Sequence, residues 1–375
     1  MGSEADAAQI LHSWSRPRVK PEHAPFRIDH HRIRIGGTVY GIGSEITDPT
    51  GAVWALLCRL DGSTPLDRLV QATLGLDQAS ALNVLVQLAE AGHLEDAAAP
   101  VPTALTDRDR QRYDRSRQFH RWTDPRPRHN PWEPQLRLLR SRVLLVGLGG
   151  TGGTAALALA ASGIGRLHCV DADQVELSNL NRQLLYTEQD IGRPKVDAAL
   201  DRLRALNSDI EITGEQTRIN GQPDLARLLA RGRYDVLLLA ADRPGQLRAW
   251  ANRACLATGV SWVDSGYHGP RAAVGVYVPG QGACYECLWL AEHDRARALG
   301  SQREYDTARD GANAVTAPAA GISGHLAAQA VTALLTGVTP VRPGQVYGVN
   351  LVAPDDQYLI ADPARPDCPA CGPAA

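Results

Sequence analysis

An apolar run followed by a glycine turn and an alanine-rich stretch constrains this chain more than any other feature. Residues 143–146 are all Val or Leu and predict a buried strand, whereas residues 155–161 are all Ala or Leu and predict a helix. Such a junction presents bare backbone N–H groups and a helix N-terminus, which bind phosphate. The glycines at this turn are Gly147, Gly149, Gly150 and Gly152.

The residues after the second apolar strand narrow the kind of nucleotide. Asp171 ends that strand, where a carboxylate can accept a hydrogen bond from a ribose hydroxyl. The loop that follows contains Asn179 and Arg182, and Lys195 lies thirteen residues further on. Two fixed cations beside a phosphate-binding turn favour a triphosphate over the diphosphate of a dinucleotide. The alternative is that both cations lie on a solvated surface loop.

Three motifs follow one another in this region. They are the glycine turn, the segment Asp-x-Asp-x-Val-x-x-Ser-Asn-Leu-x-Arg-Gln at 171–183, and Gly-x-Pro-Lys at 192–195. In them the chain resembles the ThiF/MoeB family of ubiquitin-activating-type adenylyltransferases, and the resemblance extends from about Arg112 to Cys371. It implies an α/β fold with a doubly wound, Rossmann-like sheet, and an enzyme that forms an acyl adenylate from ATP and releases pyrophosphate.

The resemblance also assigns roles to residues. Asp171 would bind the ribose, Asn179 and Arg182 would meet the phosphates, and Lys195 would neutralise charge on the departing pyrophosphate. Asp242 would hold Mg²⁺, although Arg243 follows it where the family usually has Asn. Besides the four glycines, the expected nucleotide-binding residues are Asp171, Asp173, Ser178, Asn179, Asn181, Arg182, Gln183, Lys195 and Asp242.

The position of Asp242 supports its role independently of the resemblance. It follows the apolar run 236–241 directly. Doubly wound sheets bind their ligands at the carboxyl ends of their strands. Asp242 is therefore expected at the mouth of the nucleotide crevice.

Four of the seven cysteines form two Cys-x-x-Cys pairs. Two such pairs can supply a tetrahedral thiolate site for Zn²⁺, and four protein ligands favour a structural site over a catalytic one. Many members of the resembled family fasten the chain terminus to the sheet in this way. Disulfides are the alternative, which the expected cytoplasmic location and the absence of a secretory segment disfavour. The four cysteines are Cys284, Cys287, Cys368 and Cys371.

One expected residue is missing. Family members that pass their substrate to a thiol carry a cysteine before the late Pro-x-x-Gly-x-x-Gly helix, here residues 318–324. The segment from Trp289 to Ala317 contains no cysteine, and Asp310 stands near the corresponding position. A carboxylate cannot replace a thiolate in thioester formation. The sequence therefore predicts adenylation without a thioester relay.

The first hundred residues predict a separate α+β module. Gly36-Gly37 predicts a tight hairpin turn. The predicted strands are Phe26–Ile28, Ile33–Ile35 and Val39–Ile42, followed by helices at Thr50–Leu60, Pro65–Leu74 and Ala79–Ala91. This order resembles the PqqD-like winged-helix module, a leader-peptide recognition element of ribosomal-peptide pathways. We therefore expect a recognition domain at 1–96, a linker and entry segment at 97–140, and an adenylating domain at 141–375.

The PqqD-like resemblance implies where a leader peptide would bind. It would add as a strand beside Val39–Ile42 and lie against the helix Ala79–Ala91, since exposed strand edges bind extended peptides. The alternative is an accessory domain that only packs on the enzyme or mediates dimerisation. A DNA-binding role is disfavoured because residues 79–91 contain no Lys or Arg.

The segment Arg112-Tyr113-Asp114-Arg115-Ser116-Arg117-Gln118 resembles the family's entry segment, with two residues inserted before the Gln. In family dimers its arginine reaches into the partner's nucleotide site, as an arginine finger does. Arg115 is the expected residue and Arg117 the alternative, in a homodimer. An arginine-rich linker without a catalytic role is the other interpretation.

Composition limits the partners. The 375 residues carry a formal charge of −2, which gives no reason to expect nucleic acid or an anionic membrane as a partner. The chain is therefore expected to adenylate a carboxylate on a ribosomally made precursor peptide, followed by acyl transfer or cyclisation. The alternatives are an activating enzyme for a ubiquitin-like sulfur carrier and a non-catalytic subunit that docks a peptide.

Overall fold

The computed structural model describes residues 4–71, 75–298 and 314–372. The chain divides into two compact units, Met1–Arg137 with Thr336–Thr339, and Leu138–Leu335 with Pro340–Ala375. Within the described ranges, no helix is both long enough and apolar enough to cross a membrane.

The first unit combines short strands with helices. Its strands are β1 (Pro17–Val19), β2 (Phe26–Arg27), β3 (Arg32–Ile35), β4 (Ser44–Thr47) and β5 (Leu94–Asp96). Its helices are α1 (Glu4–Ser13), α2 (Ala52–Leu57), α3 (Leu66–Gln71), α4 (Gln78–Glu90) and α5 (Asp107–Thr123). β1 pairs with β5, and β2, β3 and β4 form an antiparallel sheet in that order. Leu11, Ile33, Ile35, Leu56 and Leu85 are fully buried in its core.

The strand predicted at Val39–Ile42 is wrong. Those residues form turns in which the amides of Ile42 and Gly43 both donate to the carbonyl of Val39. Gly36, Gly37 and Gly41 have positive φ, which favours a loop here. The third strand is the more polar β4, whose Ile46 lies opposite Ile33 of β3.

The segment 97–140, predicted as a linker and entry segment, contains α5, and its residues 97–137 fall within the first unit. A capping box starts α5, because Thr106 accepts from the amide of Asp109 and the Asp109 carboxylate accepts from the amide of Thr106. Tyr113 and His120 of this helix are buried. The helix α6 (Glu133–Arg140) contains the boundary to the second unit.

An eight-stranded sheet runs through the described part of the second unit, in the order β13-β12-β11-β10-β9-β6-β7-β8. Strands β6 to β10 are parallel, and β10 to β13 pair antiparallel. The strands are β6 (Arg142–Val146), β7 (Arg166–Asp171), β8 (Glu211–Gln216), β9 (Val236–Leu239), β10 (Ser261–His268), β11 (Arg271–Tyr277), β12 (Gln345–Asn350) and β13 (Gln357–Ile360). The helices are α7 (Gly150–Ser162), α8 (Lys195–Leu206), α9 (Gln222–Gly232), α10 (Leu247–Thr258), α11 (Tyr285–Ala298) and α12 (Ala317–Thr336).

Both faces of this sheet are covered. Val143 and Leu145 of β6 pack into a core with α7, α8 and α12, whereas Leu144 and Val146 pack into a second core with α9, α10 and α11. Successive strand residues point to opposite faces, so a continuous apolar strand indicates burial on both sides. The predicted doubly wound α/β sheet is confirmed.

Candidate active site

The glycine turn lies where the sheet order reverses. The chain passes from β6 outward to β7 and β8 and returns to β9 on the other side of β6. Gly147 has φ +97°, and a Cβ there would lie 2.7 Å from the backbone of Ala240, just after β9. A Cβ on Gly152 would lie 1.9 Å from the carbonyl oxygen of Gly147, whereas one on Gly149 would meet open space. The turn therefore requires glycine, and it faces the crevice where such sheets bind ligands.

Asp171 and Tyr186 fix the turn from two sides. Oδ2 of Asp171 accepts from the amide of Leu148 at 2.7 Å, and its Oδ1 accepts from the amide of Asp173 at 2.8 Å. The buried hydroxyl of Tyr186 donates to the carbonyl of Leu148 at 2.9 Å. Burial raises the pKa of Tyr186, so the phenol remains a donor. Asp171 is half-buried and retains lone pairs for a ribose hydroxyl.

The loop at 176–183 folds back over the start of α7. Asn179 is buried and accepts from the amide of Glu176 at 3.2 Å. Arg182 donates from Nη1 to the Ser178 carbonyl at 2.9 Å and to Asn181 Oδ1 at 3.0 Å. A Cβ on Gly150 would lie 3.2 Å from the carbonyl oxygen of Arg182. Arg182 is thus brought to the α7 N-terminus, where phosphate oxygens would bind.

Gln183 ends this loop and is almost fully buried. Its Oε1 has no hydrogen-bond partner in the described part of the chain. The loop thus places a buried, unpaired acceptor two residues beyond Asn181, among the residues expected to contact nucleotide.

Lys195 begins α8 beside the end of β7. Its side chain is 7% exposed, and its ammonium donates to Oδ2 of Asp173 at 3.0 Å. The backbone amide of Lys195 also donates to the Asp173 carbonyl at 2.9 Å. Both predicted residues are therefore held together next to the glycine turn.

Asp242 is exposed and follows Ala240 and Ala241, the residues that contact Gly147. Nearby, Nε of Arg248 lies 2.8 and 3.0 Å from the two carboxylate oxygens of Asp264. The Asp264 carboxylate, and more weakly Asp242, raise the pKa of Arg248. Asp264 lies opposite Leu239 in the register of β9 and β10, so these charges gather at one edge of the sheet.

The N-terminal half of α12 packs tightly on α7. A Cβ on Gly324 would lie 2.6 Å from the Thr151 carbonyl oxygen, and Ser323 Oγ lies 2.6 Å from Thr151 Oγ1. The Ser265 hydroxyl donates to the Ser323 carbonyl at 2.8 Å. The helix with the Pro-x-x-Gly-x-x-Gly motif thereby supports the phosphate-binding turn. Asp310 lies outside the described residues.

The four predicted cysteines form one cluster. Their sulfur atoms all lie within 4.8 Å of one another. Cys284 Sγ is 3.6 Å from Cys368 Sγ, and Cys287 Sγ is 3.4 Å from Cys371 Sγ, far too long for disulfides. Tetrahedral Zn²⁺ with bonds of about 2.3 Å separates its sulfur ligands by about 3.8 Å. The donor set and spacing therefore fit a structural zinc ion.

Polar groups around the cluster orient the thiols. The amide of Asn252 donates to Cys284 Sγ at 3.5 Å, and the backbone amide of Arg365 donates to Cys287 Sγ at 3.3 Å. Such outer contacts hold metal ligands in place. Through Cys368 and Cys371 the cluster ties the C-terminal segment to α11.

A model of the ThiF family matches residues 113–370. The chain belongs to the ThiF family. The resemblance read from the glycine turn and the two motifs after it is confirmed. As a member of the ThiF family, with adenylyltransferases among its relatives, the protein is an adenylyltransferase.

Two curated relatives are adenylyltransferases of sulfur-carrier systems. The sulfur carrier protein ThiS adenylyltransferase of Escherichia coli K12 is 35% identical over 241 residues, covering 64% of this chain and 88% of that protein. The adenylyltransferase and sulfurtransferase MOCS3 of Culex quinquefasciatus is 39% identical over 155 residues. That match covers 41% of this chain and 34% of MOCS3, so the chain spans about a third of that relative.

Among solved structures, E. coli MccB with AMPCPP and MccA superposes with a TM-score of 0.72 at 22% identity. The likeness covers 95% of this chain and 100% of that one. MccB is a microcin C7 biosynthetic enzyme that has also been solved with N-formylated MccA. At this identity the comparison establishes the shared fold. No comparison tests the PqqD-like resemblance, which stays a prediction.

The two candidate arginines of the entry segment differ within the first unit. Both lie on α5. Arg117 donates to the Asp114 carboxylate at 2.7 Å and lies 5.2 Å from the centre of the Trp132 ring, whereas Arg115 is exposed. Arg115 is therefore better placed to meet another molecule.

Sequence reasoning missed Tyr186, Arg248 and Asp264. Asp264 carried a usable signal, because it follows an apolar stretch at 262–263 much as Asp171 and Asp242 follow theirs. Arg248 and Tyr186 had no such signal, since their partners depend on the register of the sheet and on the path of the loop.

Proposed function

We propose that this ThiF-family protein adenylates a carboxylate on a ribosomally made precursor peptide. A carboxylate oxygen attacks the α-phosphorus of ATP in line, the bond to the β-phosphate oxygen breaks, and pyrophosphate leaves with the electron pair. An amine, amide or thiol then displaces AMP, giving cyclisation or conjugation. The observation that carries the proposal is the phosphate-binding turn at the sheet reversal, with Arg182 and Lys195 both held beside it.

The residues at the turn act by positioning and by neutralising charge. The amides at the start of α7 and the guanidinium of Arg182 hold the phosphates, and Lys195 offsets the charge that develops on pyrophosphate. Asp242 supplies a hard, exposed carboxylate of the kind Mg²⁺ prefers. When bound there, Mg²⁺ would neutralise phosphate charge. Arg115 of a second copy would complete the site in a homodimer, a role that its exposure supports.

The leader peptide would bind along the outer edge of β4. Asp48 directly follows β4, and its amide donates at 2.7 Å to the carbonyl of His31, which directly precedes β3. The amide of residue 48 therefore points towards β3. Because the backbone N–H groups of successive strand residues point alternately towards and away from the partner strand, the amides of Glu45 and Thr47 point away from β3. An extended peptide could pair with these groups as a fourth strand. The full-length likeness to MccB supports a peptide substrate, whereas an accessory role of the first unit remains the alternative.

The edge can be tested with one pair of variants. Thr47→Pro removes an outward amide without removing a bond to β3, whereas Thr47→Ala keeps the amide. Thr47→Pro should raise KM for the precursor peptide at least about ten-fold, and Thr47→Ala should not. Turnover of a leaderless core peptide at high concentration should be unchanged. An unchanged KM in a folded Thr47→Pro variant contradicts docking at β4.

A sulfur-carrier substrate is the second candidate, favoured by the 35% identity to the ThiS adenylyltransferase. Pyrophosphate exchange into ATP distinguishes the two. We expect exchange with the precursor peptide and none with a carrier protein ending in Gly-Gly. Exchange with the carrier alone would overturn the peptide proposal and leave adenylation intact.

A further inference from the structure

The Lys195–Asp173 pair has a third member that the expected nucleotide-binding set does not contain. Oδ2 of Asp173 accepts from Lys195, whereas Oδ1 faces Nη2 of Arg218 at 3.9 Å. That distance is too long for a hydrogen bond, so Arg218 is a near neighbour that has not closed on the carboxylate. The side chains of Asp173 and Arg218 are 57% and 68% exposed.

The backbone fixes where Arg218 stands. β7 and β8 pair with Asp171 opposite Gln216, and the Gln216 side chain donates to the carbonyl of Ala172 at 3.2 Å. Arg218 follows two residues later, so the register of β7 and β8 brings it to the same end of the strands as Asp173, with its side chain largely exposed. Lys195 has the opposite character, because its side chain is buried at the start of α8.

A buried ammonium needs a counter-charge, and Asp173 supplies it until a nucleotide binds. The same ion pair opposes the binding of a triphosphate. Lys195 must turn from Asp173 to the phosphates, and this leaves a bare carboxylate next to added negative charge.

We propose that Arg218 solves this by exchanging ion pairs with Lys195. When a polyphosphate takes the Lys195 ammonium, Arg218 closes on Asp173 and neutralises it. No covalent bond changes in this step. The exchange rests on the proposed binding of ATP at this turn and makes Arg218 a positioning residue for nucleotides with β- and γ-phosphates. AMP has no β- or γ-phosphate to draw Lys195 away from Asp173, so it is bound without the exchange.

Binding of MgATP and of AMP to the full chain, measured by calorimetry, tests the exchange. Arg218→Gln should weaken MgATP about three-fold and leave AMP unchanged, which is the scale of an exposed ion pair. Arg218→Lys should restore wild-type affinity. Asp173→Asn should tighten MgATP about three-fold, because Lys195 is no longer withheld. Arg227→Gln, which removes an exposed arginine paired with Asp224, is the matched control and should change neither ligand.

The double variant makes the test decisive. In the Asp173→Asn background, Arg218→Gln should have no further effect on MgATP, since no carboxylate remains to neutralise. Should Asp173→Asn fail to fold, the Arg218→Gln and Arg218→Lys comparison carries the test alone. Equal weakening of MgATP and AMP by Arg218→Gln, or weaker MgATP binding by Asp173→Asn, overturns the exchange but not the proposed function. Wild-type protein that binds AMP but not MgATP overturns both.

Discussion

The role of a buried lysine in this protein depends on the partner that the fold gives it. The chain contains two lysines, Lys20 and Lys195, and both are buried. Lys20 donates to the neutral carbonyl of Asp124 at 2.9 Å, and burial lowers its pKa to about 8. Lys195 faces a carboxylate instead, next to the glycine turn. Lys195 belongs to the second unit, which contains the glycine turn, whereas Lys20 belongs to the first unit, so Lys20 is the control for Lys195.

Lys195→Ala should lower peptide-dependent pyrophosphate exchange at least about 100-fold, a loss of about 2.7 kcal/mol in transition-state stabilisation. Asp242→Ala should abolish exchange. Lys20→Ala should lower the thermal midpoint but keep exchange per folded molecule. A Lys195→Ala enzyme within about ten-fold of wild type contradicts the assigned role.

Two buried histidines of the first unit form a directed chain of hydrogen bonds. His23 Nε2 lies 2.8 Å from the Trp122 carbonyl oxygen and must carry its proton there. Its Nδ1 therefore accepts from His93 Nδ1 at 2.9 Å, and His93 Nε2 accepts from the Ser44 hydroxyl at 3.1 Å. A further proton on His23 Nδ1 would face the proton on His93 Nδ1, whereas the Ser44 hydroxyl can turn and accept from a protonated His93 Nε2. These hydrogen bonds link the first residue of β4 to α5 while His23 is neutral.

The first unit should therefore lose stability in acid. Burial lowers the pKa of His93 to about 4, below its unfolded value of about 6.5. The unfolded chain takes up the proton first, so stability present above pH 6.5 declines as the pH falls towards 4. Urea unfolding of residues 26–47, followed by pulsed hydrogen exchange, should show this decline, on the order of 3 kcal/mol. His93→Gln should reduce this dependence of the unfolding free energy on pH. An equally steep dependence in the variant would contradict the assignment to His93.

At the scale of elements, the sequence predicts those whose pattern is local. The strand β6, its glycine turn and the Cys-x-x-Cys pairs follow from neighbouring residues, and the family motifs place them correctly. The strand β4 was missed because Ser44–Thr47 has a polar pattern and only its pairing with β3 makes it a strand. The pair of Arg248 and Asp264 depends on two elements brought together by the sheet, which no local pattern contains.

The cysteine cluster joins α11 to the C-terminal segment, and its loss should act on that element. One zinc ion per chain should co-purify under reducing conditions. Cys371→Ser should lose the metal and increase hydrogen exchange at residues 364–372, while ATP binding persists. Cys58→Ser, which removes an exposed cysteine outside the cluster, should keep the zinc. Reduced protein without zinc contradicts the site.

At the scale of the whole molecule, the chain joins a ThiF-family unit to a smaller unit whose three-stranded sheet ends at β4 within the described residues. A doubly wound sheet with a phosphate-binding turn serves many reactions, so the fold alone does not determine the chemistry. We propose attack at the α-phosphorus beside this turn, and a peptide docked on the first unit as the source of the carboxylate. Adenylation and peptide docking can be tested separately, because the Thr47→Pro variant leaves the glycine turn intact.

The nucleotide products formed from ATP test whether the protein adenylates its substrate. Full-length protein incubated with Mg²⁺, precursor peptide and ATP labelled at the α-phosphate should form AMP and pyrophosphate in equal amounts, and only when the peptide is present. The Asp242→Ala variant should form neither. Turnover to ADP and phosphate, with no AMP, would contradict adenylation and with it the proposed function.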